Sequence, residues 1–253
     1  DHISYRKGST MMKTIDVHSH ILPGIDDGSQ SVKETRMMLS LAAGQDVDYM
    51  IATPHFYAYK QSVEDFLMER ELSYAKLSTI LKDEYPEIIF GAEVSFFSGI
   101  SRAKEIKKLT IEGTNILLLE MPFRPWTKED IKEVKELINK RKLRIMIAHI
   151  ERYFGIRGNR QKINEILELP VYVQVNAGSM EKWLTRMKIF KILKKKKVIF
   201  LGSDCHGIRT RIPNMINGRE RLKKKLGDEK LAHMEWEIEK VIFGGREDKE
   251  VWS

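Results

Sequence analysis

Seven short segments of the chain are rich in Val, Ile and Leu, and their apolar residues do not alternate with polar ones. This pattern is typical of parallel strands that are covered on both faces. We therefore predict seven buried strands, at residues 14–17, 49–52, 88–90, 116–119, 144–148, 172–175 and 198–201.

Apolar residues at helical spacing lie between most of these strands, as with Met38, Leu39 and Ala42. The spacing predicts helices at residues 31–43, 63–81, 126–140, 161–167, 180–194, 219–226 and 229–242. Thr127, followed three residues later by Asp130, is a weak variant of the capping box that begins a helix. Segment 94–113 is the hardest to assign.

The alternation of strands and helices through short links predicts a parallel sheet wrapped by helices. Seven strands suggest a closed or nearly closed barrel related to the (β/α)8 plan, in which the chemistry lies at the C-terminal ends of the strands. The chain shows no linker, repeat or low-complexity segment. The α/β class with a single domain is therefore the expected organisation.

Polar residues with catalytic potential follow the predicted strands one after another. They are His18 and His20 after the first strand, His55 after the second, Glu93 after the third, Glu120 after the fourth, His149 and Arg152 after the fifth, Asn176 after the sixth, and Asp204 and His206 after the seventh. Unrelated surface residues would rarely all fall at the same end of the strands. The coincidence predicts one shared site.

Imidazole and carboxylate groups without thiolate suit manganese, iron or zinc, and the residues alone do not choose among them. His18 and His20 face the same way, because alternate residues of a strand share a face. Such a cluster can activate water and stabilise both oxygens of an in-line displacement. Arg152, Arg209 and Arg211 could grip phosphate oxygens beside it, or could be ordinary surface arginines.

Composition is that of an ordinary enzyme domain, with 253 residues, 42% of them hydrophobic and 32% charged. No apolar stretch approaches the length of a membrane span. A lone cysteine, Cys205, fits a reducing cytoplasm. The first eleven residues lack the apolar core of a signal peptide, so we interpret 1–11 as a leader or expression remnant and 12–253 as one domain.

The net charge is +8, and lysine runs occur at 194–197 and 223–225. Such runs are usually solvated helix ends, but they could also attract an acidic or phosphorylated protein, a membrane face or nucleic acid. No motif interleaves aromatic and basic residues as nucleic-acid binders do. Nucleic acid is therefore not expected as a partner, whereas peripheral contact with an anionic surface stays open.

The segment Asp16-Val17-His18-Ser19-His20-Ile21-Leu22-Pro23-Gly24-Ile25-Asp26-Asp27-Gly28 resembles the opening motif of the PHP (polymerase and histidinol phosphatase) superfamily. More narrowly, it resembles the capsule-regulating bacterial protein-tyrosine phosphatases of the CpsB/YwqE type. Further pieces follow in the same order. They are Ala52-Thr53-Pro54-His55, Gly91-Ala92-Glu93, Leu119-Glu120-Met121-Pro122, Ala148-His149-Ile150-Glu151-Arg152-Tyr153, Gln174-Val175-Asn176-Ala177-Gly178-Ser179 and Ser203-Asp204-Cys205-His206.

The resemblance implies a distorted (β/α)7, TIM-like PHP barrel with up to three metal ions. Manganese is the expected metal, with iron, zinc or magnesium as alternatives. The implied ligands are His18, His20 and Asp204 for one ion, Glu93 as a bridge to a second held by Glu120 and His149, and Asp27, His55 and His206 for the third. Arg152 and Arg211 match phosphate-binding positions, and Asp204 is also expected to take part in catalysis.

Three positions depart from the family pattern: Phe56 replaces a second histidine, Ile150 a proline, and Cys205 an alanine or methionine. None removes an implied ligand, but we expect Phe56 to alter the rim of the site. Cys205 and Arg211 also have the spacing of cysteine-dependent tyrosine phosphatases. Asp204 beside the thiol disfavours a thiolate, so we expect Cys205 to be a small apolar filler.

The leading hypothesis is a metal-dependent phosphomonoesterase that acts on phosphotyrosine in proteins. The resemblance implies that its substrate is a membrane-associated bacterial tyrosine kinase that controls capsular or exopolysaccharide synthesis. One alternative is a small-molecule phosphatase of the histidinol-phosphate type, or a nuclease. Another is a non-catalytic protein that docks an acidic partner through its basic surface, which a complete ligand set argues against.

Overall fold

The computed structural model describes residues 12–244. The predicted leader at 1–11 and the last nine residues of the predicted domain lie outside the described residues. Nine strands are present in this part of the chain. They are β1 Ile15–Ser19, β2 Tyr49–Ala52, β3 His55–Phe56, β4 Glu87–Phe90, β5 Glu93–Ser95, β6 Ile116–Glu120, β7 Arg144–Ile147, β8 Tyr172–Asn176 and β9 Phe200–Gly202.

All seven predicted strands occur, and every strand pairing among residues 12–244 is parallel. The pairing gives a three-stranded sheet in the order β1-β2-β4 and a six-stranded sheet in the order β3-β5-β6-β7-β8-β9. A parallel bridge between Ser19 and Cys205 connects β1 to the segment after β9. The fold is thus mixed α/β with parallel sheets.

Seven α-helices connect the strands: α1 Val32–Ala43, α2 Val63–Ala75, α3 Lys128–Asn139, α4 Asn159–Glu168, α5 Trp183–Lys196, α6 Met215–Leu226 and α7 Asp228–Phe243. Short 3₁₀-helices lie at Ile100–Arg102, Ile106–Leu109, Ile150–Tyr153 and Ala177–Glu181. No helix among the described residues is both long and apolar enough to cross a membrane.

Helix α3 forms where the sequence predicts it. The Thr127 hydroxyl accepts from the backbone N–H of Asp130, and the Asp130 carboxylate accepts from the backbone N–H of Thr127. The capping box is therefore complete, and the Arg124 guanidinium adds two donors to the same carboxylate. The helix buries Ile131, Val134 and other apolar residues against the sheet.

Three helices differ from their predicted bounds by three or more residues. Helix α6 begins at Met215 instead of 219. Helix α2 ends at Ala75 instead of 81, because the chain tightens into turns in which Leu77 bonds to Tyr74 and Ile80 to Leu77. Ser78 and Thr79 favour such turns over a helix interior. Helix α5 begins at Trp183 instead of 180, because the preceding residues form a 3₁₀-helix. The unassigned segment 94–113 contains two 3₁₀-helices that bury Ile100 and Leu109 among other residues.

Candidate metal centre

The predicted ligands converge at one end of the parallel strands, although four of them belong to strands instead of following one. His55 begins β3, and Glu120 ends β6. His18 lies inside β1, and Glu93 is the first residue of β5. The strand containing Glu93 has only three residues, too few to show a hydrophobic pattern. His18, His20, Glu93, His149 and Asp204 are all buried, with at most 1% of each residue exposed.

Glu93 is the centre of the cluster. Its carboxylate lies 2.8 Å from Nε2 of His149, 3.1 Å from Nε2 of His18 and 3.2 Å from Nε2 of His20. Nδ1 of His55 is 3.1 Å away on another side. Four imidazoles thus surround one buried carboxylate, and Glu93 can contribute oxygens to more than one cation.

Three groups of possible ligand atoms form around this carboxylate, with the atoms of each group within 4.8 Å of one another. The groups are His18 with His20 and Asp204, His55 with Glu93 and Glu120, and His20 with Asp27, His55 and His206. His20 and His55 each belong to two groups. Asp27 approaches His55 and His206 at 3.4 Å although its side chain is 67% exposed.

His149 joins the cluster through carboxylates of two strands. Its Nε2 atom is 2.8 Å from Oε1 of Glu93 and 3.5 Å from Oε1 of Glu120, the last residue of β6. Each of the nine predicted ligands therefore lies within 3.5 Å of at least one other. The arrangement can hold divalent cations that share ligands, which is the plan of a multinuclear hydrolase site.

Three histidines are oriented by hydrogen bonds from Nδ1. His18 pairs with the side-chain oxygen of Gln174 at 3.0 Å, His20 with Asp26 at 2.6 Å, and His206 with the backbone carbonyl of Asp204 at 3.0 Å. Since each partner is an acceptor, Nδ1 carries the proton and Nε2 can offer a lone pair to a cation. Such outer partners fix the tautomer and ring orientation of metal-binding histidines.

Sequence reasoning missed three residues that support the ligands. Asp26 orients His20, Gln174 accepts from His18 and from the backbone N–H of His149, and Asp16 accepts from Ser203. Gln174 was detectable as a polar residue within an apolar strand. Asp26 is adjacent to Asp27 in a turn, where no periodic pattern shows which of the two carboxylates orients His20.

Burial and charge pairing act in opposite directions on the pKa values of the cluster. Burial alone would lower the pKa of His20, but its pairing with Asp26 and Glu93 raises this pKa to about 10. Burial likewise opposes ionisation of Glu93, yet His18 and His149 hold its pKa well below the usual range. Attraction between imidazole and carboxylate thus opposes the effect of burial on both groups, and binding of a divalent cation would displace protons from such ligands.

Several buried atoms of the cluster make no well-aligned hydrogen bond among the described residues, although most of them lie close to an oppositely charged side chain. They are Nδ1 of His55, Oε2 of Glu93, Nδ1 of His149, Oδ1 of Asp204 and Nε2 of His206. An unpaired buried polar atom is costly, and a native protein rarely leaves it so. Bound cations would satisfy such atoms, so the donor set fits a metal cluster.

Two arginines reach this centre from its open side. Nη2 of Arg211 lies 2.5 Å and Nη1 of Arg152 3.8 Å from the carboxylate of Asp204. Both arginine side chains are 42% exposed. Arg209 is exposed in the same loop as Arg211, and it is Arg211 that approaches Asp204. Two guanidinium groups therefore flank the position where a phosphate would meet the ligands.

Aromatic rings line the same opening. The ring of Phe123 is stacked on His149 with centroids 5.8 Å apart, and the Arg152 guanidinium lies 4.7 Å from the centre of the Phe123 ring. Tyr57 is stacked on His55 at 5.2 Å. Phe123 is half-exposed. The opening thus offers flat apolar surface next to the arginines.

Backbone strain is concentrated at this site. His149, Asp204 and Arg211 have φ angles of 29°, 50° and 50°, in the left-handed region that non-glycine residues rarely occupy. Only three other non-glycine residues among those described share this feature. Strained backbone of this kind recurs where a fold must hold side chains for function.

Cys205 does not fit a nucleophile. Its side chain is buried, and burial together with the neighbouring Asp16 carboxylate raises the pKa of the thiol. The filler role agrees with this position. The expectation for Phe56 is wrong: strand alternation directs it away from His55, and its buried ring packs edge-on against Phe66 at 5.4 Å. Phe56 therefore does not belong to the rim of the site.

The sequence model of the family described as "Capsular polysaccharide synthesis, CpsB/CapC" matches residues 14–243. The chain belongs to the CpsB/CapC family. This match covers every strand, every α-helix and every candidate ligand described above, so the family assignment and the cluster concern the same part of the chain.

Members of the CpsB/CapC family with curated names are distant but span most of the chain. The tyrosine-protein phosphatase CpsB of Streptococcus pneumoniae is 26% identical over 235 residues, which are 87% of this chain and 94% of the relative. The protein of that name from Streptococcus agalactiae is 24% identical over 225 residues, 85% of this chain and 92% of the relative.

A solved structure shares the fold with a TM-score of 0.73 at 21% sequence identity, over 90% of this chain and 94% of that chain. It belongs to crystal structures of YwqE from Bacillus subtilis and CpsB from Streptococcus pneumoniae, which are described as metal-dependent tyrosine phosphatases. At 21% sequence identity, this likeness shows that the two chains share a fold.

Proposed function

We propose that this CpsB/CapC-family protein is a metal-dependent phosphatase that hydrolyses phosphotyrosine in proteins. The observation that carries the proposal is the buried cluster in which Glu93 touches four histidines while Arg152 and Arg211 flank its open side. The names of the relatives, which are tyrosine-protein phosphatases, agree with it.

The proposed ligands are His18, His20, Asp27, His55, Glu93, Glu120, His149, Asp204 and His206. Manganese is the proposed metal, in up to three ions, on the basis of the family resemblance, and imidazole and carboxylate ligands without thiolate are compatible with it. Bound cations would supply an activated water and neutralise charge on the phosphate. The proposed domain spans 12–253, with the two sheets forming one distorted (β/α)7 barrel around the cluster.

Arg152 and Arg211 would bind the non-bridging phosphate oxygens, because a guanidinium fork matches two oxygens at once. Asp204 contacts both arginines and so would hold them in position while it also serves as a ligand. The phenolate released from phosphotyrosine is a good leaving group, since its conjugate acid has a pKa of about 10. The ring surfaces of Phe123 and Tyr57 would receive the aromatic side chain.

The proposed substrate is a membrane-associated bacterial tyrosine kinase, and the proposed setting is the cytoplasm. The capsular polysaccharide description of the family motivates this choice. A single reduced cysteine agrees with a reducing compartment. The phosphorylated tyrosines of such a kinase would have to enter an open site, and the half-exposed Phe123 and the partly exposed arginines leave that side accessible.

A metal-reconstitution assay tests the proposal. The protein is stripped of metal and returned to manganese, iron, zinc or magnesium. Turnover is then measured on phosphotyrosyl and phosphoseryl peptides, histidinol phosphate and a single-stranded oligonucleotide. We expect activity only with metal, highest with manganese, and highest on the phosphotyrosyl peptide. His18→Ala, Glu93→Ala and Asp204→Ala should each lower turnover by at least about a hundredfold.

Each other outcome has a distinct meaning. Preference for histidinol phosphate or the oligonucleotide would replace the protein substrate but keep the metal chemistry. Bound metal without turnover on any substrate would favour the docking protein. Normal turnover of Glu93→Ala with unchanged metal content would remove Glu93 from the centre.

A further inference from the structure

The outward face of α5 combines positive charge with exposed apolar side chains. The helix carries six basic residues and no acidic one between Trp183 and Lys196. We define the α5 face by six of the exposed residues of the helix. These are Trp183, Leu184, Met187, Lys188, Lys191 and Lys194.

The apolar part of the α5 face is unusually open to solvent. Trp183 is 63% exposed, Leu184 68% and Met187 43%, all within five residues. Clustered exposed apolar groups of this size mark interaction sites more often than isolated ones do. The inward side of the same helix buries Ile189, Ile192 and Leu193, so the outward residues are not needed for the core.

Two lysines of the α5 face, Lys191 and Lys194, are free to meet a partner. Lys195 already pairs with Glu168, and Lys196 donates to the carbonyl of Leu169. By contrast, within residues 12–244 no carboxylate forms an ion pair with Lys191 or Lys194. Arg186, the one arginine of the helix, is occupied by the carbonyls of Met180 and Glu181.

The start of α5 is linked to the metal centre by a short segment of chain. Strand β8 ends at Asn176, whose side chain donates to Asp204, and a single 3₁₀-helix then leads to Trp183. Nζ of Lys188 is 5.4 Å from the ring centre of Phe154, two residues beyond Arg152. A surface that contacts the start of α5 would therefore border the opening that contains Arg152.

We propose that the α5 face docks on an anionic lipid bilayer. Trp183, Leu184 and Met187 enter the headgroup layer, and Lys188, Lys191 and Lys194 contact lipid phosphates. Lysines act as mobile point charges, which suit a diffuse layer of lipid headgroups. Specific pairing with a carboxylate of a partner protein favours the planar donor fork of an arginine instead. Arg186 does not offer this fork to a partner, because its guanidinium already donates to backbone carbonyls. A tryptophan with neighbouring basic residues is typical of peripheral membrane contacts.

A second copy of the chain does not fit the α5 face as well. Each copy carries a net charge of +8, so two basic faces would repel each other. A membrane with negative headgroups has the opposite charge and needs no complementary pocket. Docking there would hold the opening close to substrates at the membrane, although the contact itself does not depend on what the centre hydrolyses.

Co-sedimentation of the full chain with vesicles tests the proposal. Vesicles of phosphatidylglycerol with phosphatidylcholine are compared with pure phosphatidylcholine, at low and high salt. The test variants are Lys191→Glu/Lys194→Glu and Trp183→Ser/Leu184→Ser. The control is Lys128→Glu/Lys135→Glu, which makes the same charge change at exposed positions of α3. For each variant, the rate of hydrolysis of p-nitrophenyl phosphate in solution is compared with that of the parent chain, to check that the variant is folded.

We expect binding to the anionic vesicles only, with both α5 variants binding at least about tenfold more weakly and the α3 variant close to the parent chain. Trp183→Phe should remove most of the blue shift in tryptophan emission on binding. Absence of binding at low salt would overturn the proposal, as would equal weakening by the α3 control. Tight capture by polyglutamate without any vesicle binding would instead assign the α5 face to an acidic protein.

Discussion

Nδ1 of His20 lies 2.6 Å from Oδ2 of Asp26, and this short pairing determines how His20 faces the metal centre. Asp26 also accepts from the backbone N–H groups of Gly28 and His55. One carboxylate therefore connects the turn after β1 with the start of β3. Because these bonds all favour the charged form, they lower the pKa of Asp26 to about 2 despite its burial.

We expect Asp26→Asn to weaken metal binding about 10- to 100-fold, because the amide cannot hold the proton on Nδ1 of His20 as strongly. Metal titration of the stripped protein measures this change, and excess metal should restore much of the turnover. Asp83→Asn, at an exposed loop position, is the matched control. Unchanged metal affinity of Asp26→Asn would mean that the pairing is only structural.

Arg152→Ala should lower kcat/KM by a factor that corresponds to a loss of about 2–4 kcal/mol of transition-state stabilisation, the scale of losing one positioned donor. Metal content should stay normal, because Arg152 contacts the carboxylate of Asp204 only at 3.8 Å. Arg152→Lys keeps the charge but loses the fork, so it should recover only part of the loss. Arg209→Ala is the control and should change little.

Full recovery by Arg152→Lys would show that charge alone matters at this position. Loss of metal in either variant would mean that Arg152 supports the ligands instead of the substrate. The two results are separable, because metal content is measured directly on the purified protein.

Cys205→Ser should retain most of the activity, and chelation should abolish activity in both the variant and the parent chain. The thiol is buried and its pKa is raised, so it does not supply a thiolate at neutral pH. Steady-state turnover with and without chelator gives the comparison. A dead serine variant combined with resistance to chelators would establish the cysteine mechanism instead.

The capping box of α3 should make stability depend on pH. Burial would raise the pKa of Asp130, but the hydrogen bonds from Arg124 and Thr127 hold it below the usual value. A lowered pKa stabilises the fold above the unfolded value of about 4 and loses that contribution as the pH falls through the folded value. Asp130→Asn should therefore destabilise the protein at pH 7.

The loss of unfolding free energy in Asp130→Asn should be about 1 kcal/mol at neutral pH, the scale of a capping interaction. It should shrink when urea denaturation is repeated below about pH 4. Glu129→Gln, at an exposed neighbouring position, is the control. A difference that stayed constant with pH would show that the Asp130 charge is not what stabilises α3.

The parallel strands were predictable because Val, Ile and Leu are concentrated in runs such as β6 and β7 that are buried on both faces. The positions of β3 and β5 could not be predicted, because a strand of two or three residues is too short to show a periodic pattern of apolar residues. Their pairing, which brings His55 beside Glu93, depends on tertiary contacts alone. For the same reason the sequence placed Glu93 after a strand, whereas in the structure Glu93 is the first residue of β5.

The candidate ligands could be listed from the sequence because imidazoles and carboxylates are distinctive chemical groups. Their supporting residues could not, since Asp26 and Gln174 acquire their roles only through hydrogen bonds to distant histidines. The Phe56 expectation failed for a related reason. A residue next to a ligand in sequence points to the opposite face when both belong to a strand.

Phe123 provides the sharpest test of substrate class. Its ring stacks on His149, and the Arg152 guanidinium lies 4.7 Å from the centre of the ring. Half of the residue is exposed at the opening. Phe123→Ala should lower kcat/KM for a phosphotyrosyl peptide about fivefold to tenfold more than for a phosphoseryl peptide, the scale of one aromatic contact. Phe123→Leu should recover only part of that difference. Trp236→Ala, an exposed aromatic position on α7, is the control.

The comparison of two substrates separates the possible roles of Phe123. If the ring served only to position Arg152, both peptides would lose rate equally, because both present the same phosphate to the same guanidinium. Only direct contact with the tyrosyl ring makes the loss depend on the leaving group. An unchanged ratio with a lower rate would therefore assign Phe123 to the support of Arg152. A selective loss with normal metal content would make Phe123 the residue that favours phosphotyrosine.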